Sequence, residues 1–202
     1  DTLDFEPGTQ WSYSSSGYFQ LGAIIEKASG QPYATFVEQQ IFVPLGMNDT
    51  AYEGHERQPA KRAAGHIRSG DAYVPNLPLS MTQPYAAGAL VSTVDDLARW
   101  DAAISEGKLL KAATWQQAFT PAKLNDGKAT RYGYGWMLGT WQNTPVIHHG
   151  GGINGFATYA MRLPKEKVYV AVLENSDTGL VDPDVVARKA AAVAVGRPYP
   201  DI

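Results

Sequence analysis

The stretch FATYAMRLPKEKVYVAVLEN, residues 156–175, indicates the fold more clearly than any other part of the sequence. It contains two runs with the aromatic and β-branched residues typical of strands, at 156–164 and 167–175. The segment LPKEKV at their junction combines a proline with charged residues, which is typical of a tight reversal. The stretch therefore predicts an antiparallel hairpin.

The segments on either side extend this hairpin into a sheet closed by a helix. RYGYGWMLGTW at 131–141 and TPVIHHG at 144–150 are further short strand-like runs. DPDVVARKAAAVAV at 182–195 has the composition of a helix. The region at about 131–195 is therefore predicted to be an antiparallel sheet followed by a terminal helix.

The region at about 16–125 is predicted to be helical. A helix over 16–29 is expected to end at Gly30, and Pro32 is expected to be the first residue of a second helix. STVDDLARWDAAISEG predicts a third helix with Ser92 as its N-cap, and a shorter helix is expected near 111–119. Residues 51–91 hold four prolines and predict mostly loop with short strands. Helices followed by a strand meander indicate an α+β fold.

Composition excludes several classes of function. The chain has 202 residues and a net charge of −3, and its 17 basic residues do not cluster, so no nucleic-acid partner is expected. No apolar run is long enough to span a membrane. The absence of cysteine excludes disulfides, a thiol nucleophile and cysteine-based metal sites.

The serines do not form a recognisable nucleophile motif. YSSSGY at 13–18 holds three adjacent serines without a G-x-S-x-G pattern, and one of them is expected to cap the first helix, with Ser16 beginning it. An S-x-x-K match occurs at SEGK, residues 105–108. Because Gly107 ends the helix before Lys108, the Ser and Lys side chains cannot stack one turn apart, and the match is rejected.

The four histidines do not predict a metal site. His148 and His149 are adjacent on a strand, so they point to opposite faces and only one of them can reach a given site. The sequence HHGGGINGF at 148–156 is more informative, because its glycines leave backbone N–H groups accessible to a ligand. An oxyanion hole, a substrate-docking edge and a glycine-rich bulge all remain possible readings of it.

Four blocks of the sequence carry a resemblance to a known family. In chain order they are FEPGTQWSYSSSGYFQLGAIIEKASGQPYATFVEQQIFVPLGM, AAGALVSTVDDLARW, YGYGWML and HHGGGINGFATY. Together they resemble the serine β-lactamase and penicillin-binding-protein-like family, over nearly all of residues 5–175. The resemblance is strongest to the branch of class C β-lactamases, D-alanyl-D-alanine carboxypeptidases and related esterases. The fold implied is β-lactamase-like, and incomplete.

The resemblance implies a role for six residues. Tyr13 matches the tyrosine of the family's Tyr-x-Asn motif, which takes part in proton transfer, while Ser15 stands at the asparagine and loses its amide. His149 stands at the lysine of Lys-Thr-Gly, which weakens a site for a substrate carboxylate. Gly150 and Gly151 complete that motif and would contact substrate, and Gly152 would supply an oxyanion N–H.

The family's S-x-x-K segment would lie upstream of Asp1, so the chain is expected to be the C-terminal part of a longer domain and inactive alone. The intact parent would form an acyl-enzyme with an ester, amide, peptide or β-lactam substrate, without a cofactor. A periplasmic or secreted location would follow from the family. The run at 167–175 would lose its strand partner and become an apolar edge open to self-association.

Two other functions are compatible with the sequence. A non-catalytic peptidoglycan-binding or regulatory homologue on the same fold would explain the replacements at Ser15 and His149. A carbohydrate-binding β module would use the aromatic residues, but it does not explain the helical first half.

Overall fold

The first half of the chain is mainly helical in the computed structural model, which describes residues 2–56 and 58–199. Its helices are α1 (Ser15–Ser29), α2 (Tyr33–Val37), α3 (Val43–Leu45), α4 (Val94–Ser105) and α5 (Ala112–Ala118). A π-helical turn, Glu38–Phe42, joins α2 to α3, and a 3-10 turn lies at Tyr85–Ala87. Two small antiparallel pairs join β1 (Ala51–Tyr52) to β4 (Leu90–Val91) and β2 (His66–Ser69) to β3 (Ala72–Pro75).

The second half is an antiparallel sheet with a helix on one face. The strands are β5 (Met137–Trp141), β6 (Thr144–Ile153), β7 (Phe156–Leu163) and β8 (Val168–Glu174), in that spatial order. Helix α6 (Pro183–Val195) packs alanines against the sheet. Met161 and Leu163 are fully buried beneath it. The α+β architecture and the 156–175 hairpin are confirmed.

The first strand of this sheet is shorter than predicted. Residues 131–136 were expected to be part of it, but β5 begins at Met137. The carbonyl of Tyr132 accepts instead from the amide of Ala122 at 2.9 Å, which ties this segment to the loop after α5. A Cβ at Gly133 would lie 2.2 Å from the Ala118 carbonyl oxygen, so only glycine fits there.

The serine run caps α1, as predicted, and fixes where that helix begins. Ser14 is the N-cap, its Oγ accepts from the Gly17 amide at 3.1 Å, and Ser15 rather than Ser16 is the first helical residue. Gly30 ends the helix in the left-handed conformation. Pro32 is the N-cap of α2 rather than its first residue.

The N-cap predicted for α4 is wrong by one residue. Thr93 caps the helix by accepting from the Asp96 amide, because Ser92 has another partner, the hydroxyl of Thr50 at 2.7 Å. Asp96 is fully buried and accepts from the Asp49 amide and the Thr50 hydroxyl, both at 2.8 Å. This network joins α4 to the chain that enters β1.

A close approach of two glycines connects the β2–β3 hairpin to the large sheet. A Cβ on Gly155, in the β6–β7 turn, would lie 2.7 Å from the Gly65 backbone. The Gly155 amide donates to Asp177 Oδ2 at 2.7 Å, and Asn76 donates to the same oxygen at 3.0 Å. The His66 amide adds a bond to the Asn175 carbonyl at 3.0 Å.

A Gly155→Ala substitution is expected to destabilise the protein by about 2–4 kcal/mol, because it combines a left-handed φ of 81° with a backbone clash. Gly179→Ala is the matched control, since Gly179 has a φ of 67° with nothing within 4 Å of its Cβ position, and should cost about 1 kcal/mol. Urea unfolding measures both. Equal losses would show that the contact with Gly65 contributes nothing.

Candidate functional site

One edge of β6 is unpaired over its second half. β5 pairs with Thr144–His148, whereas β7 pairs with Ile147–Ile153. Among residues 2–56 and 58–199, the segment His149–Ile153, which holds the three consecutive glycines, therefore has a strand partner on the β7 side only. An open strand edge of this kind can pair with an extended ligand.

The direction of the amides along this edge follows from the hairpin register. Asn154 and Gly155 form a two-residue turn, so the closing pair Ile153–Phe156 exchanges backbone hydrogen bonds and the pairs then alternate. The Gly152–Ala157 pair is consequently not hydrogen-bonded, and the Gly152 N–H points away from β7. The same alternation directs the Gly150 N–H and C=O to the open edge.

The two adjacent histidines point to opposite faces of the sheet, as predicted. His148 faces α6, where its Nδ1 lies 2.8 Å from the Tyr159 hydroxyl, and Arg188 donates to that hydroxyl at 3.3 Å. Burial, and then the Arg188 charge, lower the pKa of His148. This group anchors the strand to α6.

His149 lies on the other face and contacts the helical half. Its Nε2 is 3.1 Å from the Tyr132 hydroxyl, and its Nδ1 is 2.6 Å from the Gly150 carbonyl oxygen. Both ring nitrogens are therefore engaged by the protein itself.

Tyr13 reaches the same place from the N-terminus of α1. Its ring centroid lies 5.8 Å from that of His149 and 6.0 Å from that of Tyr132. The Ser14 cap directs it there, since Tyr13 immediately precedes the capping residue. Tyr13 is 47% exposed, so it borders the open edge of the strand rather than the core.

Tyr132 forms the buried floor beneath these residues. Trp11 lies 5.3 Å and Tyr18 6.4 Å from it between ring centroids. Burial raises the pKa of Tyr132. Sequence reasoning missed Tyr132 because it read the YGYGW segment as strand; the cluster of aromatic residues was its only signal.

The remaining predicted residues lie around this centre. Ser15 is the exposed first residue of α1, two positions after Tyr13. Gly151 lies two positions after His149, and a Cβ there would lie 2.7 Å from Thr158 Oγ1. The structure thus brings Tyr13 and His149 together, and the glycines extend from His149 along the open edge.

The rejected S-x-x-K match has a structural role. Ser105 ends α4 and accepts from Arg162 at 2.7 Å, while Lys108 pairs with Glu106. Among residues 2–56 and 58–199 no group of three His, Asp or Glu side chains could hold a metal ion. In the same ranges no helix has both the length and the apolar character of a membrane span.

Comparison with known sequences and structures identifies the family. Residues 1–195 match the profile of the beta-lactamase family. The chain belongs to the beta-lactamase family. Penicillin-binding protein 4* of Bacillus subtilis (strain 168) is 31% identical over 211 residues, covering 96% of this chain and 46% of that protein.

Solved structures of family members share the fold. The octameric penicillin-binding protein homologue from Pyrococcus abyssi has a TM-score of 0.79 at 30% identity, over 96% of this chain and 44% of that one. D-amino acid amidase from Ochrobactrum anthropi SV3, complexed with L-phenylalanine amide, has a TM-score of 0.76 at 25% identity. It is matched over 96% of this chain and 60% of its own. The chain spans less than half the length of the curated relatives it matches. These relatives place it in a family of serine hydrolases.

Proposed function

We propose that this chain forms one side of the active site of a serine hydrolase that acts through an acyl-enzyme. The observation that carries the proposal is the contact between Tyr13 and His149, two residues 136 positions apart in sequence that meet beside an unpaired strand edge. A structural tyrosine would more often be buried, and Tyr13 is half exposed. The substrates would be compounds with an ester, amide or β-lactam carbonyl.

The nucleophile would come from an S-x-x-K segment outside these 202 residues, because the one match in this sequence is used structurally. Its serine oxygen attacks the carbonyl carbon, and its proton passes to the Tyr13 and lysine pair. The proton then goes to the leaving group as the carbonyl re-forms. Water, activated by the same pair, releases the acid and regenerates the serine. The 202-residue chain alone would be inactive.

The oxyanion would be held at the open edge of β6. Gly152 N–H points away from β7 and would donate to the oxygen together with the amide of the nucleophilic serine. A donor of this kind is worth about 3 kcal/mol of transition-state stabilisation. Gly150 and Gly151 would allow the substrate backbone to lie against the strand.

The site favours substrates without a carboxylate at this position. A lysine at position 149 would present a fixed cation, whereas both ring nitrogens of His149 contact protein atoms. Most β-lactams carry such a carboxylate, so esters and amides are the preferred class.

A non-catalytic homologue that binds peptidoglycan or regulates another protein is the second candidate. Ser15 favours it, because a hydroxyl at the first turn of α1 lacks the amide that the family uses to contact an acyl side chain. Presence or absence of an S-x-x-K segment in the complete protein separates the two functions.

Tyr13→Phe in the complete protein is expected to lower kcat/KM for a p-nitrophenyl ester by about 10²–10⁴-fold, because the proton-transfer group is removed. Folding should be unaffected, since the side chain is half exposed. Tyr73→Phe, at an exposed position on β3, is the matched control and should keep full activity. Unchanged turnover in Tyr13→Phe would refute the assigned role.

We further propose that the free edge of β8 accepts another strand. β8 pairs with β7, and no strand among residues 2–56 and 58–199 covers its other edge. The occupant would be a preceding segment of the parent or, for this chain alone, a second copy; one relative is octameric. Light scattering should therefore show dimers or larger species of the 202-residue chain. Monomers at all concentrations would contradict self-association.

A further inference from the structure

Tyr132 is buried, and its backbone is fixed by hydrogen bonds at both its amide and its carbonyl. It is 6% exposed, its amide donates to Thr130 Oγ1 at 3.2 Å, and its carbonyl accepts from Ala122. The next residue, Gly133, is fixed against α5 because no side chain fits between it and the Ala118 carbonyl. The fold therefore fixes the position of the Tyr132 hydroxyl.

The hydrogen bonds of His149 assign its tautomer. A backbone carbonyl can only accept, so the 2.6 Å contact with the Gly150 oxygen requires the proton on Nδ1. In the neutral ring Nε2 is then an acceptor, and the hydroxyl 3.1 Å away, that of Tyr132, must donate to it. The Nδ1–H tautomer satisfies both contacts, whereas the Nε2–H tautomer leaves the carbonyl facing a lone pair.

Tyr132 also contacts Tyr13 directly. The two rings meet edge to face with centroids 6.0 Å apart, and Tyr132 meets the His149 ring edge to face at 5.9 Å. Tyr132 thus fills the corner between the two side chains on which the proposed function depends. Because burial raises the pKa of Tyr132, its hydroxyl keeps its proton and acts as a donor rather than as a base.

We infer that Tyr132 is a positioning residue that holds His149 as the Nδ1–H tautomer and thereby determines substrate choice. This role rests on the proposed function, and the preferred substrates are acyl compounds that are neutral where they meet His149. With Nδ1–H donated to Gly150 and Nε2 occupied by Tyr132, the ring offers no free N–H to a substrate carboxylate. Removing the Tyr132 hydroxyl would take away the donor to Nε2 and leave only the Gly150 carbonyl to favour the Nδ1–H tautomer. The Nε2–H tautomer, which could donate to a substrate carboxylate, would then be more populated.

The tautomer can be measured without any activity. In protein labelled with ¹⁵N-histidine, at about pH 9 where imidazoles are neutral, the ¹⁵N shifts of His149 should report one tautomer with the proton on Nδ1. Signals are assigned with a His149→Gln variant. Tyr132→Phe should shift the population towards Nε2–H, while Tyr134→Phe, an exposed neighbour two positions away, should not.

Substrate choice is measured in the complete enzyme with two esters that differ only by a carboxylate on the leaving group. Tyr132→Phe should raise the kcat/KM ratio of the carboxylate ester to the neutral ester about tenfold, the effect of one gained charge-assisted hydrogen bond. Tyr134→Phe should leave the ratio unchanged. A merely structural Tyr132 would lower both rates together and keep the ratio.

The outcomes separate this inference from the proposed function. A wild-type His149 that is Nε2–H, or a tautomer unchanged in Tyr132→Phe, overturns the role of Tyr132 whether or not the enzyme is active. An unchanged substrate ratio overturns its role in specificity. A complete protein without hydrolase activity, combined with the expected shifts, would refute the proposed function and leave the positioning of His149 supported.

Discussion

The site depends on a mismatch in strand length. β6 has ten residues and β5 has five, so the glycine-rich end of β6 extends beyond its neighbour with one edge unpaired. Hydrogen-bonded and non-hydrogen-bonded residue pairs alternate from the Asn154–Gly155 turn, so the amides of Gly150 and Gly152 point to this open edge. Had β5 begun at residue 131, as its sequence suggests, those amides would have been covered. The backbone hydrogen bond of Tyr132 to Ala122 and the close approach of Gly133 to Ala118 keep this segment from pairing with β6, and they therefore leave the edge open.

The two histidines anchor β6 to the elements that pack on the two faces of the sheet. His148 contacts Tyr159 and, through it, the Arg188 side chain of α6. His149 contacts Tyr132 and lies beside Tyr13, in the helical half. A strand with three consecutive glycines has little side-chain packing of its own. Because each histidine contacts one tyrosine hydroxyl, this strand is fixed on both faces of the sheet. A flexible strand could not offer donors in the fixed positions that an oxyanion requires.

Sequence reasoning succeeded where one local rule decides the outcome. The hairpin at 156–175 follows from composition and a polar turn, the α1 cap from three serines before an apolar helix, and the opposed histidines from strand geometry. It failed where a residue distant in sequence determines the local structure. Ser92 lost the N-cap position to Thr93 because it bonds to Thr50. Residues 131–136 do not pair with β6, because they fold back against β5 and bond to the loop after α5. The roles of Tyr13 and Gly152 were inferred from family resemblance, and they remain proposals.

Tyr132 shows most clearly what the sequence cannot supply. Its neighbours in the cluster come from residues 11–18, which lead into α1, and from β6, and no spacing rule joins these segments. The four sequence blocks point to the beta-lactamase family, but the contact between Tyr132 and His149 is visible only in three dimensions.

The central claim is that the open edge of β6 and Tyr13 form two sides of one acyl-transfer site. A crystal structure of the complete protein with a boronic acid bound to its nucleophile tests this most directly, because the boronate oxygen occupies the position of the oxyanion. The account predicts that oxygen within hydrogen-bond distance of the Gly152 amide, with the Tyr13 hydroxyl beside the nucleophile. A boronate oxygen directed away from β6, or a nucleophile remote from Tyr13, would contradict it.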